Sequence, residues 1–327
     1  MINPQRIEYN TFSSEDFDLI TCLSFDSDSD ATSSFLTRDA VASETYRGDI
    51  QRVSSYKYTD VLSPTITFID KNFEDFDIDR QRQIMKWLTS KDMPSFLTVY
   101  HDDSNVVSYE ILGAFTEVST YKLGNGRVVG FQCVFTSISP FAFSALHTVT
   151  KTISSASDNQ ITIDIDTDDN KPVYPRITIQ QNGSIVNIPA GTTLNALSDM
   201  VENTAYFNGT TYYWKTAPGT DEAYFNSSTT NPNLNTTSVR FINKHTDFLN
   251  QSKVLDAVVV KNNTPTEKIV LDGANKIISS DSVRRIFGDD FVNWQWLELY
   301  DGKNEITIEG NCEVTLSWRE IRKVGEF

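Results

Sequence analysis

The sequence predicts a mainly β protein of two domains, β-rich throughout, with one helix in the N-terminal domain. Three observations lead there. Short apolar/polar alternations recur along most of the 327 residues, turns built on glycine and asparagine punctuate them, and Asp77 to Ser90 alone has clear helical spacing.

In the first half, Leu19 to Phe25, Thr65 to Ile69, Phe96 to Tyr100, Val106 to Leu112 and Val128 to Phe135 alternate with the period of two that turns one strand face inward. Gly124, Asn125 and Gly126 supply backbone freedom at positive φ, so the strands flanking them are expected to form a hairpin. Asp77 suits the cap of a helix whose apolar stripe is Ile78, Met85 and Leu88, widened by Ile84 and Trp87. Pro94 prevents that helix from continuing, and the next strand begins near Phe96.

The pattern weakens around Ser137 to Lys151, which places a boundary near 145 between a first domain, 1–145, and a second, 146–327. Two strands follow in ITIDIDTDDNKPVYPRITIQ, residues 161–180, separated by an acidic turn and two prolines. From about 182 to 262 the chain is rich in Asn, Thr and Ser, too long for a connecting loop, and reads as an insertion. β signals return at Lys268 to Leu271, Lys276 to Ser279, Trp296 to Tyr300, Glu305 to Glu309 and Glu313 to Arg319. Ile306 and Ile308 alternate, Gly310 and Asn311 offer a turn, and Val314, Leu316 and Trp318 resume, so a closing hairpin with one buried face is expected.

A hydrophobic fraction of 39% and an aromatic fraction of 12% are those of a folded chain. Residues 1–150 hold 12 Lys and Arg against 21 Asp and Glu, and residues 151–327 hold 16 against 23. A surface acidic in both halves repels phosphate backbones, and no basic stripe offsets it, so sequence-specific nucleic-acid binding is not expected. Cys22, Cys133 and Cys312 are odd in number and lie in strand-like runs, as buried thiols rather than a disulfide framework. No run approaches the ~18 apolar residues of a membrane span, and MINPQRIEYN lacks a signal-peptide core. Synthesis in a cytoplasm, without membrane insertion, is the expectation.

Few residues suggest chemistry. Asp26, Asp28 and Asp30, like Asp164, Asp166 and Asp168, have the spacing of the first calcium-loop ligands. Their sixth positions are Ala31 and Asp169 instead of glycine, and their twelfth Thr37 and Pro175 instead of glutamate, so both read as acidic turns and no metal is expected. His101, His147 and His245 are isolated, Asp289 and Asp290 point apart as neighbours do, and no nucleophile elbow, Walker loop or dinucleotide fingerprint occurs. Neither an enzyme nor a cofactor is expected. Tyr206, Tyr212, Tyr213 and Trp214, flanking a turn at Asn208 and Gly209, are candidate glycan-stacking side chains. The favoured reading makes Tyr206, Tyr212 and Trp214 the small core of the insertion.

Together these stretches carry a resemblance. A β-rich first domain with one helix, closing on SISPFAFS at 137–144, then YPRITI at 174–179 and DGKNEITIEGNCEVTLSWRE at 301–320, resembles the distal tail proteins of siphovirus-type phages over nearly the whole chain. The last phrase is the most specific. The resemblance implies an N-terminal ring-forming, β-sandwich-like domain and a C-terminal galectin-like β-sandwich, the insertion being a departure. It further implies a hexameric ring at the virion tail tip with a central channel for DNA. The implied partners are other copies of the chain, the tail tube protein, a tail-associated lysin or fibre hub protein, and receptor-binding proteins. An alternative from another class is a carbohydrate-binding adhesin recognising the host surface.

Overall fold

The structure, a computed structural model, describes residues 6–24, 38–44, 51–58, 60–101, 106–124, 126–153, 159–181, 184–194, 200, 204–215, 225–229, 239–247, 251–260, 267–281, 295–310 and 312–324. They fall into two compact units, Met1–Ala145 with Glu320–Phe327, and Leu146–Arg319.

The first unit contains β1 (Arg6–Tyr9), β2 (Phe12–Ser13), β3 (Leu19–Ser24), β4 (Arg38–Glu44), β5 (Gln51–Tyr58), β6 (Thr65–Asp70), α1 (Ile78–Thr89), β7 (Ser95–Tyr100), β8 (Tyr109–Lys122), β9 (Val128–Ser137) and β10 (Ala142–Phe143). The main sheet runs β2-β1-β7-β8-β9-β6-β3, with β10 paired to β8. It rolls over: β1 and β3, near opposite ends of that order, touch. The roll encloses Ile7, Tyr9, Leu23, Ile66, Phe68, Leu97, Val99, Ile111, Phe131 and Phe135, one alternate side chain after another from each strand.

α1 plugs this roll. Ile84, Trp87 and Leu88 lie inward at the i, i+3, i+4 spacing of one helical face, and each fully buried aliphatic contributes about 1.5–3 kcal/mol by leaving water. The Trp87 indole donates to the Tyr9 carbonyl at 2.7 Å and stacks on Phe17 at 4.8 Å. The expected stripe is therefore rotated: Ile78 is 75% exposed and Met85 37%. Ile78 follows immediately on the cap, where the Asp77 carboxylate accepts from the Arg80 amide at 2.7 Å, and its side chain is left outside the core. The Arg80 guanidinium meets Asp70 at 2.6 Å and donates to the Phe17 carbonyl at 2.6 Å, pinning the helix to the end of β6. The hairpin expected at residues 124–126 is present as β8–β9, with Gly126 at φ +83°. β8 continues to Lys122, well beyond the alternation, because its outer half is exposed on both faces.

The second unit contains β11 (His147–Ile153), β12 (Gln160–Ile165), β13 (Arg176–Gln181), β14 (Ser184–Asn187), β15 (Thr204–Phe207), β16 (Tyr212–Lys215), β17 (Phe225–Ser228), β18 (Val239–Thr246), β19 (Ser252–Val260), β20 (Lys268–Asp272), β21 (Ile277–Ser280), β22 (Gly302–Glu309) and β23 (Cys312–Trp318). One sheet runs β11-β23-β13-β20-β21 and a second β12-β22-β18-β19. Their inward residues share one core, among them Ile163, Ile177, Ile179, Phe241, Ile269, Leu271, Ile306, Ile308, Val314 and Leu316, which makes this unit a β-sandwich.

Three expectations change here. The phrase around Gly310 is not a hairpin: β22 pairs with β12 and β18, whereas β23 pairs with β11 and β13. The strands face each other across the core, and Gly310, at φ +143°, passes so close to Val239 that a Cβ would lie 3.2 Å from its Cγ2. The insertion is shorter than 182–262, because β18 and β19 are sandwich strands with Val239, Phe241 and Val260 in the core. What stands outside the sandwich is the sheet β14-β15-β16-β17, with β14 and β15 parallel. Finally, the second domain does not run to 327. A short β24 (Ile321–Arg322) pairs with β10, and the amide of Ser144 donates to the Glu320 carbonyl at 2.9 Å, so the last segment closes the first unit.

Candidate interaction surfaces

β4 and β5 form a two-stranded ribbon separate from the rolled sheet. Its sequences, RDAVASE and QRVSSYKY, lack clean alternation, and the side chains described on its two faces are exposed or half-buried. Tyr56 is 61% exposed and Val53 44%. At its foot, Tyr58 packs edge-on against Phe141 at 4.6 Å, and the Arg38 guanidinium lies 5.8 Å from the Tyr58 ring centroid. Phe141 belongs to SISPFAFS, which is the seam of the first unit. There Ser137 Oγ donates to the Leu112 carbonyl at 3.1 Å and accepts from the Ser139 amide at 2.9 Å. The sequence offered no sign of the ribbon beyond Val and Tyr at strand-like intervals.

The four candidate glycan-stacking residues do come together, on β15 and β16, but not on one face. The register pairs Tyr206 with Tyr213, and Phe207 with Tyr212, so Tyr206 and Tyr213 share one side while Phe207, Tyr212 and Trp214 share the other. Tyr213 is 7% exposed, and its hydroxyl accepts from Asn208 Nδ2 at 3.3 Å. Phe207 and Tyr212 stack at 4.3 Å, and Tyr206, Tyr212 and Trp214 are half-buried. Asn208 holds the intervening turn by accepting from the Thr210 and Thr211 amides, with Gly209 in the left-handed region.

A second aromatic group lies on the sandwich, and the sequence reading missed it. Val173 and Leu299 bridge and point inward, so their neighbours Tyr174, Glu298 and Tyr300 point outward with Trp296. Both phenols donate to the one carboxylate, Tyr174 to Glu298 Oε1 at 2.9 Å and Tyr300 to Oε2 at 2.6 Å. The Lys276 ammonium sits 3.2 Å from the Tyr174 ring centroid and 5.2 Å from that of Trp296. Hydrogen bonding to Glu298 pushes the Tyr300 phenol up to about 12. Only the alternation WLELY hinted at this group, and no sequence spacing links it to Tyr174 or Lys276.

Among the described residues, no three His, Cys, Asp or Glu side chains are grouped to hold a metal, and no helix is long and apolar enough to cross a membrane. Asp26, Asp28, Asp30, Asp289 and Asp290 lie outside the described residues. Asp164 points outward from β12 opposite Lys303, with Asp166 and Asp168 exposed beyond it. The histidines are dispersed: His101 against Tyr109, His147 stacked on Trp318, His245 beside Tyr300. Burial pushes the Cys133 and Cys312 thiols up to about 12, as expected of inert core residues.

A phage tail protein N-terminal domain matches residues 3–139, and a phage tail C-terminal domain matches residues 205–318. The chain belongs to the phage tail proteins. The first match ends within the seam and the second on the last residue of β23. No curated protein matches the chain. Among solved structures, it is similar to the Dit protein of phage SPP1, described as a paradigm of the hub adsorption apparatus in phages infecting Gram-positive bacteria. The identity is 8%, over 96% of this chain and 98% of that one, with a TM-score of 0.51. The baseplate of phage P2 in its activated, calcium-containing conformation aligns at 10% identity over 98% of each chain, with a TM-score of 0.44. This phage tail protein thus shares the overall fold of a distal tail protein at very low identity.

Proposed function

We propose that this phage tail protein is a non-enzymatic subunit of the tail tip, six copies of which form a hub ring around a channel for DNA. In this reading the ring joins the tail tube protein to a tail-associated lysin or fibre hub and carries receptor-binding proteins at its rim. It is made in the host cytoplasm and ends in the virion.

The observation that carries the proposal is the β4–β5 ribbon. An isolated two-stranded ribbon is marginally stable in water, and this one exposes Tyr56 and Val53. A neighbouring copy that covers the ribbon satisfies it, and a contact joining different surfaces of successive copies closes into a ring at a fixed rotation. The net charge of −16 supports the channel, since acidic walls lower the adhesion of passing DNA. Geometry suffices for such a role without a reacting group.

Native mass spectrometry and negative-stain imaging test this. The full chain is expected to form closed rings, and deletion of residues 38–58 to leave a folded monomer. A chain that stays monomeric at assembly concentrations, even with tube protein present, overturns the proposal.

A further inference from the structure

We infer that the outward group formed by Tyr174, Trp296, Glu298, Tyr300 and Lys276 is a binding site for a neutral pyranose oligosaccharide. The site is distinct from the inserted β14–β17 sheet, and the inference stands whether or not the chain forms a ring.

Three features of the group point to a sugar. Trp296 and Tyr300 are half-exposed in one patch, and aromatic faces of that kind accept the CH face of a pyranose ring, whereas Tyr174 already carries the Lys276 ammonium over one face. Among them lie one strong acceptor and one strong donor. The Glu298 carboxylate is held by two phenols at 2.9 and 2.6 Å, and the Lys276 ammonium is parked 3.2 Å from the Tyr174 ring centroid. A carboxylate oxygen has room for more than one donor, so both oxygens of Glu298 retain capacity for sugar hydroxyls. One charge of each sign leaves the patch close to neutral, which disfavours a phosphate as well as a free cation and suits an uncharged polyol.

The group is also prepared in advance. Glu298 cannot swing away while both of its oxygens are bound, and its segment is anchored by the Val173–Leu299 bridge behind it. Groups fixed before binding lose less freedom when a ligand arrives. Lys276 stands at φ +58°, a conformation uncommon for a side chain of its kind, and it is this turn that brings the ammonium over Tyr174. Fastening the β20–β21 turn does not need that contact, because four strand pairs and the Gly273 amide, donating to the Pro175 carbonyl at 3.2 Å, already hold it.

Isothermal titration of the full chain with maltotriose, cellotriose and chitotriose tests the site. At least one is expected to bind saturably. Trp296→Ala and Glu298→Gln are each expected to weaken it about tenfold. Lys276→Gln, at an exposed position, is expected to weaken it about threefold with an unchanged melting temperature, which separates binding from folding. Tyr212→Ala with Trp214→Ala, in the inserted sheet, is expected to leave binding intact. The inference is overturned if none of the three sugars binds, if Trp296→Ala and Lys276→Gln bind like the parent, or if the inserted-sheet variant abolishes binding.

Discussion

Where the first unit fills its interior with Tyr9, Phe68, Phe76, Trp87, Phe131 and Phe135, the second fills its own with Ile, Val and Leu and only a few aromatics. The difference follows from shape. A single sheet rolled on itself leaves a wide, uneven cavity, which takes large rings and a helix to fill. Tyr9 accordingly meets Phe115 edge-on at 5.1 Å and Phe135 at 5.8 Å. Two facing sheets lie about 10 Å apart everywhere, and interdigitating branched aliphatics fill that gap evenly. Polar fastening differs as well. In the first unit Asp70 and Arg80 join a helix to a strand, whereas in the second Asn243 donates to Asn304 at 2.9 Å, and Asn304 donates to the Tyr300 carbonyl at 2.7 Å.

The sharpest way to break this contrast is Trp87→Ala, which removes a ring at the centre of the roll and its bond to Tyr9. A loss of about 3–5 kcal/mol is expected, confined to the first unit in calorimetry with a domain-resolved probe. An equal shift of both transitions would mean that the two interiors do not melt separately. Leu316→Ala is the counterpart in the sandwich, expected to cost about 3 kcal/mol and to spare the first unit.

A smaller effect tests the polar fastening. Burial by itself raises the Asp70 carboxyl, but the Glu74 amide, the Arg80 guanidinium and the Asn72 amide outweigh it and hold the group below the usual carboxylate range. A depressed native pKa contributes stability that is present above the unfolded value of about 3.9 and is lost as pH falls through the native one. Asp70→Asn is therefore expected to destabilise the first unit by about 1–3 kcal/mol at neutral pH and to flatten its acid dependence, read from urea midpoints at a series of pH values. The smallest effect is expected at Ile78→Ser. With the side chain 75% exposed, stability should stay within about 0.5 kcal/mol, whereas Leu88→Ala, on the inward face, should cost several times more.

These same residues mark what the sequence disclosed. Strands with one buried face, such as Thr65–Asp70 and Cys312–Trp318, announce themselves because alternation is a direct print of burial. Helix α1 was visible in extent, but its inward line was not, since Ile78 and Met85 are as apolar as Ile84 and only tertiary packing chooses between them. β18 hid inside a polar stretch because Asn243 occupies a fully buried position, paired with Asn304, in the place where alternation would put an aliphatic. The turn at Gly310 gave the right strands and the wrong partnership: a tight turn between alternating segments looks alike whether the strands pair or face each other. The Tyr174 group was illegible because its members come from three separated segments, two joined by the bridge at Val173 and the third brought in by the β20–β21 turn.

The pairing of β24 with β10 means that the polypeptide passes from the first unit to the second and back again. On the ribosome, the opening segment must therefore wait until all of Leu146–Arg319 has been translated before its last seam can be sewn. Once sewn, the two units are joined by two stretches of backbone, at 145–146 and at 319–320, so a force that pulls on either is carried by two covalent lines instead of one.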